Sequence, residues 1–292
     1  NSVSLLLAIA ALAAGMYFDG LRLQRLVKIG GYKLSIQAVL RVIFSNYFMA
    51  MLTPGASGGA VAQVLVLKSY GVPISKGTPI VLIRTVFSIM FLVIMLPLVF
   101  LRDAIEIPYI SRDMLLLFAV LAVIATLLGT YILQTKYMRQ FVYNLAQRFK
   151  AHKTKDWLSK LETLNQGLGL LYKEPIQSVI VFFESGLSLL CLYCIAPALM
   201  YAFTPDIPII DILDRMILLN LILYFAPTPG GTGIAEGLFV VLFSAFVPNG
   251  TVGIVAVAWR VVAEYLPFFI GMYAVLTLYG RQFVAQETSR EQ

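Results

Sequence analysis

The chain carries the sequence Thr53-Pro54-Gly55-Ala56-Ser57-Gly58-Gly59 in the middle of one apolar segment, and Thr228-Pro229-Gly230-Gly231-Thr232-Gly233 in the middle of another. We call these the first and second TPG motifs. Proline removes a backbone donor and glycine adopts conformations closed to other residues, so each motif interrupts a helix. The remaining half-helices would be about 10 to 14 residues long, too short to cross a hydrocarbon core of about 30 Å. Each motif therefore predicts a broken helix within a membrane segment.

The composition indicates a membrane protein. Hydrophobic residues make up 60% of the chain, charged residues 13%, and the mean hydropathy is +0.86. A soluble domain has roughly 45–50% apolar residues. We therefore predict an all-α polytopic membrane protein, with residues 1–292 as one transmembrane domain. The full spans would lie at about residues 3–20, 78–101, 114–133, 176–203 and 254–279.

The charges predict the topology of the chain in the membrane. The net charge is +7, and its bases are clustered. Residues 134–175 hold eight Lys or Arg against three acids, and the segment after the first span has five bases and no acid. Those five bases are Arg22, Arg25, Lys28, Lys33 and Arg41. By the positive-inside rule both segments are cytoplasmic, whereas the acidic loops at residues 102–113 and 204–214 face outward. Anionic lipid headgroups account for such basic segments, so we expect no nucleic-acid partner.

The two TPG motifs belong to a duplicated unit. At offsets of 174 to 176 residues, matched positions recur in the same order around both motifs. The matched pairs are Arg41 with Arg215, Asn46 with Asn220, Val72-Pro73 with Val247-Pro248, Gly77 with Gly253 and Arg84 with Arg260. The repeat units are therefore about residues 41–101 and 215–279.

The loop charges predict that the two copies have opposite orientations. The first copy follows a cytoplasmic loop and the second follows an outward one, which is the inverted-repeat plan of many transporters. Residues 42–67 and 216–247 would then form re-entrant, broken-helix hairpins that meet near the midplane. The alternative is a plain proline kink in one continuous span.

Ionisable residues within apolar spans usually face an interior cavity. We predict that Arg84 and Arg260, at equivalent positions, bind one anionic headgroup, because a guanidinium matches phosphate geometry. Glu236, close to the second motif, joins them, and the glycine-rich turns would add amides and hydroxyls. The motif residues of this candidate set are Thr53, Gly55, Ser57, Gly58, Thr228, Gly230, Gly231, Thr232 and Gly233. Its secondary members are Glu184, Glu264 and Gln63.

Internal neutralisation is the alternative for these charges. Arg260 and Glu264 are spaced i and i+4 on one helix, and Glu236 or Glu184 could pair with Arg84. Metal and cofactor chemistry is not expected. Cys191, Cys194 and the single histidine, His152, cannot supply a structural zinc set or a Cys-His or Ser-His-Asp site.

These motifs resemble the lysylphosphatidylglycerol synthase transmembrane family, the flippase-like module of multiple peptide resistance factor proteins. The first block is the first TPG motif with Tyr70-Gly71-Val72 and Arg84; the second is Pro229–Gly233 with Glu236, Arg260 and Leu266-Pro267. The resemblance implies a multi-pass protein of the prokaryotic inner membrane that acts on lipids, in the best-known members by translocating an aminoacylated phosphatidylglycerol. Ala60 and Gln63 replace charged residues common in the family, and Glu264 is not expected there.

The expected function is therefore a lipid flippase for an anionic phospholipid or a polyprenyl-phosphate lipid. The alternatives are a membrane subunit that presents lipid to a separate enzyme, a transporter of a small soluble anion, and an intramembrane enzyme. A homodimer or a partner synthase would be compatible with the leading function. Synthases of this family carry a large soluble catalytic domain, and this chain ends at Gln292 with a short polar tail. We therefore expect no enzyme activity from the chain alone.

Overall fold

The structure is a computed structural model that describes residues 1–102, 112–132, 169 and 174–288. Within these residues the chain is helical and has no β-strand. The helices are α1 (Ser2–Ile29), α2 (Ile36–Leu52), α3 (Ser57–Ser69), α4 (Ile74–Leu101), α5 (Arg112–Ile132), α6 (Pro175–Tyr193), α7 (Ile195–Met200), α8 (Ile209–Leu223), α9 (Ile234–Phe243), α10 (Val252–Arg260) and α11 (Leu266–Thr288). The predicted all-α fold class is confirmed.

Four helical segments among the described residues are long and apolar enough to cross a membrane. They are Ser2–Ile29, Ile74–Leu101, Pro175–Met200 and Val252–Leu278. Each coincides with one of the five predicted spans. The remaining predicted span, at residues 114–133, coincides with α5. Large apolar side chains on their outer faces, such as Phe183 and Tyr273, are exposed. In a membrane protein these side chains meet lipid.

The first helix is longer than the predicted span at residues 3–20. It continues to Ile29, so that Arg22 and Arg25 lie within α1 and not in the basic segment after it. The helix continues because both guanidinium groups have acidic partners: Arg22 binds Asp19, and Arg25 binds Glu184 of α6. Ion pairing offsets the cost of placing these charges within the bundle.

The first TPG motif separates two antiparallel helices. Contacts between α2 and α3 run in reverse order: Arg41 meets Tyr70, Asn46 meets Gln63, and the backbone at Met49 lies close to Gly58. Gly59 permits this packing, because a Cβ there would lie 2.4 Å from the Asn46 side-chain oxygen. α2 and α3 therefore form a hairpin, and the alternative of a single kinked helix is wrong for this motif.

The second TPG motif breaks the chain in the same way. α8 ends at Leu223 and α9 begins at Ile234. Arg215 of α8 lies over the ring of Phe246, 4.6 Å from its centroid, just after α9. Arg215 is the counterpart of Arg41, and both contact an aromatic side chain at the far end of the following half-helix. Helix, motif, half-helix and long helix thus follow in the same order in both predicted repeat units.

The two motifs touch each other. Pro54 and Pro229 form an isolated antiparallel backbone bridge. Around it the backbone takes positive φ angles at Gly55 (60°), Gly230 (57°) and Gly231 (68°), which glycine adopts without steric cost. The two breaks in the helices thus lie side by side.

A charged cavity beside the two TPG motifs

A cavity of about 420 Å³ lies where the two TPG motifs meet. Its wall combines α1, α2, α3, α4, α6 and α8 with residues of both motifs and of the turn between α10 and α11. The polar side chains on this wall include Asp19, Arg22, Asn46, Gln63, Arg84, Ser88, Ser188, Asn220, Tyr224 and Glu264. The broken helices therefore surround a polar space within an apolar bundle.

Asp19 is the centre of the charged wall. It is 3% exposed and accepts hydrogen bonds from Arg22, three residues further along α1. It also binds Arg84 of α4 through both carboxylate oxygens, with 3.0 Å between Arg84 Nε and Oδ1. This two-point contact is the strong form of an arginine–carboxylate pair. Two guanidinium groups share one carboxylate, which leaves one net positive charge in the cluster.

Further hydrogen bonds fix the orientation of the two guanidinium groups. Arg84 donates to the side-chain oxygen of Gln63 on α3, and Gln63 donates to Asn46 on α2 (2.7 Å). Arg22 donates to the hydroxyl of Ser88 on α4 (2.8 Å). The network joins α1, α2, α3 and α4, and its buried members restrain one another. The arginines on the cavity wall are thus held in place.

Arg260, the counterpart of Arg84, has a different position. It is 1% exposed, is not part of the cavity wall, and donates to Glu236 (2.9 Å) and to the carbonyl oxygen of Gly230 (2.8 Å). Glu236 in turn accepts the Gly233 N–H (2.7 Å) and so caps α9. Arg260 and Glu236 therefore brace the second TPG motif, while Arg84 faces the cavity.

The structure corrects the ion pairs predicted for internal neutralisation. Arg84 pairs with Asp19, and not with Glu236 or Glu184. Glu184 pairs with Arg25 (2.7 Å), and Arg260 pairs with Glu236 and not with Glu264. The i, i+4 spacing misled the prediction, because the Arg260 guanidinium donates to Glu236 and to the Gly230 carbonyl oxygen. Glu264 lies in a π-helical turn formed by Val261–Tyr265.

Glu264 lies on the cavity wall. It is partly buried, and within the part of the chain that the structure describes its carboxylate forms no hydrogen bond or salt bridge. Thr228 also lines the cavity, and its buried hydroxyl has no hydrogen-bond partner among the described residues. Both groups retain hydrogen-bonding capacity next to the Asp19 cluster.

The structure divides the residues predicted from the sequence into two groups. On the cavity wall lie Gly55, Ser57, Gln63, Arg84, Thr228, Gly230, Gly231 and Glu264. Away from it lie Thr53, Gly58, Glu184, Thr232, Gly233, Glu236 and Arg260. Several of this second group hold the turns together. Thr53 accepts the Gly58 N–H and donates to the Met49 carbonyl oxygen, each at 2.8 Å, and Thr232 donates to the Pro229 carbonyl oxygen.

Sequence reasoning missed Asp19 and Arg22. The predicted first span ended at residue 20, so Asp19 looked like a helix-end residue and Arg22 like part of a cytoplasmic loop. Their i, i+3 spacing directly after a long apolar run was the available signal, because such a pair can neutralise itself inside a longer helix.

The fold and the cavity define a polytopic membrane protein whose broken helices enclose charged side chains, an arrangement used by membrane transporters. The chain belongs to the family described as lysylphosphatidylglycerol synthase TM region, which it matches over residues 1–271. It is also similar to a UPF0104 membrane protein of Archaeoglobus fulgidus, with 21% identity over 263 residues that cover 87% of this chain and 80% of the relative. The family resemblance and the membrane location are thus confirmed, and the archaeal relative agrees with a prokaryotic source.

Proposed function

We propose that this chain binds the phosphate-bearing headgroup of an anionic lipid in its cavity and moves the lipid across the bilayer. The observation that carries the proposal is the sharing of one carboxylate, Asp19, by two arginines, Arg22 and Arg84. One arginine would suffice to neutralise Asp19. The second leaves a net positive charge on the cluster of Asp19, Arg22 and Arg84, and a phosphodiester carries one negative charge to match it.

The guanidinium groups have donors available for such an anion. Each guanidinium has five N–H donors. Three of those on Arg84 and two of those on Arg22 are engaged in the described part of the chain. The others can donate to phosphate oxygens, and each charged hydrogen bond contributes about 1.5–3 kcal/mol. A bound phosphate would thus offset the cost of the unbalanced charge.

The size of the cavity and the family favour a lipid as the ligand. A volume of about 420 Å³ lies within the usual range for small-ligand sites and suits a headgroup, while the acyl chains would remain in the bilayer. The family description names the transmembrane region of a lysylphosphatidylglycerol synthase. An anionic phospholipid or a polyprenyl-phosphate lipid would present the same phosphate chemistry. The proposed activity is transport and not catalysis.

We also propose that the two hairpins enter the membrane from opposite sides. The contact between Pro54 and Pro229 supports this arrangement, because hairpins that enter from opposite faces can meet only within the bilayer. Movement of one hairpin relative to the other would then expose the Asp19 cluster to each side in turn.

Transport is tested with the purified full chain in vesicles of phosphatidylcholine and phosphatidylglycerol that contain a trace of fluorescent phosphatidylglycerol. A membrane-impermeant reductant, dithionite, measures how fast the fluorescent lipid reaches the outer leaflet. We expect the protein to accelerate this step and Arg84→Ala to slow it by about tenfold or more. Lys68→Ala, at an exposed site on α3, is the matched control and should behave as the unmodified protein.

Three outcomes would contradict the proposal in different ways. Transfer no faster than in protein-free vesicles would overturn transport, and if short-chain phosphatidylglycerol still bound the protein, the chain would be a lipid-presenting subunit. Equal acceleration of fluorescent phosphatidylcholine would overturn recognition of the anionic headgroup. Full transport by Arg84→Ala would remove Arg84 from the site.

A further inference from the structure

Glu264 is a carboxylate on the cavity wall for which lipid binding alone provides no role. We propose that Glu264 takes up one proton when a monoanionic headgroup enters the cavity and releases it when the headgroup leaves. Lipid and proton would then occupy the cavity together, which makes the proton gradient a source of energy for transport. This inference rests on the proposed lipid-binding function.

The charges on the wall balance only when a proton accompanies the anion. With Glu264 ionised, Asp19, Arg22, Arg84 and Glu264 sum to zero, so that a phosphodiester would bring the site to a net negative charge. With Glu264 protonated the wall carries one positive charge, and the bound anion cancels it. Uncompensated charge inside an apolar bundle is costly. The protonated wall and the bound anion therefore stabilise each other.

The remaining ionisable groups around Glu264 are accounted for. Arg260, which precedes it on the same helical segment, is engaged by Glu236 and by the Gly230 carbonyl oxygen, so this pair adds no net charge. Asp19 is already engaged by two arginines. Among the described residues of the cavity wall, the other ionisable groups are phenols, which are neutral at physiological pH. They are Tyr47, Tyr193 and Tyr224.

Glu264 lies in the π-helical turn at Val261–Tyr265, which follows Arg260 directly. An acid four residues after a base often pairs with it on a helix. In this structure Arg260 instead donates to Glu236 and to the Gly230 carbonyl oxygen, and Glu264 forms no salt bridge with it. π-turns of this kind occur frequently at functional sites.

The binding of the proton and the binding of the anion are coupled reciprocally, so the coupling can be measured as a pH dependence of the affinity for the anion. If a proton on Glu264 favours the anion, the anion must favour that proton by the same factor. The affinity for the anion should therefore be constant at low pH. It should fall by about tenfold per pH unit once Glu264 is ionised in the free protein. Glu264→Gln, which is neutral at every pH, should bind the anion with the low-pH affinity throughout.

The test uses dihexanoyl phosphatidylglycerol, a soluble short-chain lipid whose phosphodiester carries one negative charge throughout the titration. Calorimetric titration of the full chain in detergent, repeated in buffers with different ionisation enthalpies, yields both the affinity and the number of protons taken up per lipid. At the alkaline end of the pH range we expect the unmodified protein to take up close to one proton per bound lipid. Glu264→Gln should take up none. Glu174→Gln, an exposed acid at the start of α6, is the matched control and should retain proton uptake.

The affinity and the proton uptake, measured together, distinguish a failure of the proton coupling from a failure of the lipid site. Binding by the unmodified protein without proton uptake and without pH dependence would overturn the coupling and leave the lipid site intact, even if the Glu264→Gln variant did not fold. Unchanged proton uptake by Glu264→Gln would assign the proton to another group and also overturn the inference. Absence of lipid binding at every pH, in both proteins, would overturn the proposed lipid site and the coupling with it.

Discussion

Arg84 in α4 and Asp19 in α1 are 65 residues apart in sequence and are joined through both oxygens of the carboxylate. Arg22 binds the same carboxylate, so the cluster has one more cation than it needs for neutrality. Removal of Arg84 leaves a neutral pair, whereas removal of Asp19 leaves two cations without a counterion. Removal of Arg84 should therefore mainly weaken the binding of an anion, whereas removal of Asp19 should mainly lower the stability of the protein.

Arg84→Ala should lower the affinity for anionic lipid more than it lowers stability. The loss of one charged hydrogen bond corresponds to about 1.5–3 kcal/mol, roughly tenfold or more in affinity. Arg84→Lys should restore only part of the affinity, because an ammonium lacks the two-point geometry. Titration with short-chain phosphatidylglycerol and thermal unfolding in detergent measure the two effects.

Asp19→Asn should instead lower the stability, by about 3–5 kcal/mol, since it breaks a buried ion pair. Equal losses of stability in both variants would contradict this division.

The helices and their breaks could be predicted from the sequence, because apolar runs and proline–glycine motifs are local signals. The ion-pair partners of the charged residues could not be predicted from the sequence. Arg84 finds its acid on another helix, and Asp19 lies at the edge of a hydropathy window that placed the end of the first span at residue 20. The π-turn before Leu266 has no local signature either, and the acid that Arg260 binds lies on another helix. Tertiary packing determines these features.

Arg260 and Glu236 should behave as a coupled structural pair. Arg260→Ala and Glu236→Ala should each destabilise the protein, and the double variant should lose less than the sum, with a coupling energy of about 0.5–3 kcal/mol. The double variant Arg260→Ala with Glu264→Ala is the matched comparison and should show no such recovery, because those side chains do not bond. Thermal unfolding of the three single and two double variants measures the coupling. A coupling energy between Arg260 and Glu264, with none between Arg260 and Glu236, would refute the observed pairing.

Thr53 and Thr228 are equivalent in the two motifs but differ in their hydrogen bonds. The Thr53 hydroxyl bonds two backbone groups, whereas the buried Thr228 hydroxyl has no partner in the described chain. Thr53→Val should therefore cost about 0.5–2 kcal/mol of stability through the lost cap of α3. Thr228→Val should leave the stability unchanged or slightly raised, since an unsatisfied buried hydroxyl is unfavourable. Unfolding of both variants side by side gives the comparison, and an equal loss at both sites would contradict it.

Gly271 brings α11 against the backbone of α2. A Cβ at this position would lie 2.1 Å from the Phe44 carbonyl oxygen, so Gly271→Ala must push the two helices apart. We expect a loss of about 1–3 kcal/mol from overpacking. Gly280 lies on the same helix with open space around it, and Gly280→Ala should be neutral or stabilising by up to about 1 kcal/mol. Thermal unfolding of the two alanine variants tests this contrast, which would fail if Gly271→Ala were as stable as Gly280→Ala.

The opposite orientation proposed for the two hairpins predicts that their open ends lie on different sides of the membrane. Lys68 and Lys76 flank the open end of the first hairpin, and Asp206 and Asp211 lie near that of the second. Basic residues favour the cytoplasm, so the first hairpin should open inward and the second outward. The sites Lys68 and Asn249 are exposed and suit single-cysteine labels.

Labelling with a membrane-impermeant maleimide decides the orientation. The background replaces the two free cysteines, Cys191 and Cys194, by serine, so that only the introduced thiol reacts. In cells, Asn249→Cys should react from outside, and Lys68→Cys should react only in inside-out vesicles or after permeabilisation. Lys28→Cys, at the predicted cytoplasmic end of α1, and Thr204→Cys, in the acidic loop predicted to face outward, calibrate the two compartments. If Lys68→Cys and Asn249→Cys reacted from the same side, the two repeat units would be parallel. Hairpins that enter from one face could not give alternating access to the Asp19 cluster, and the transport cycle would need another moving part.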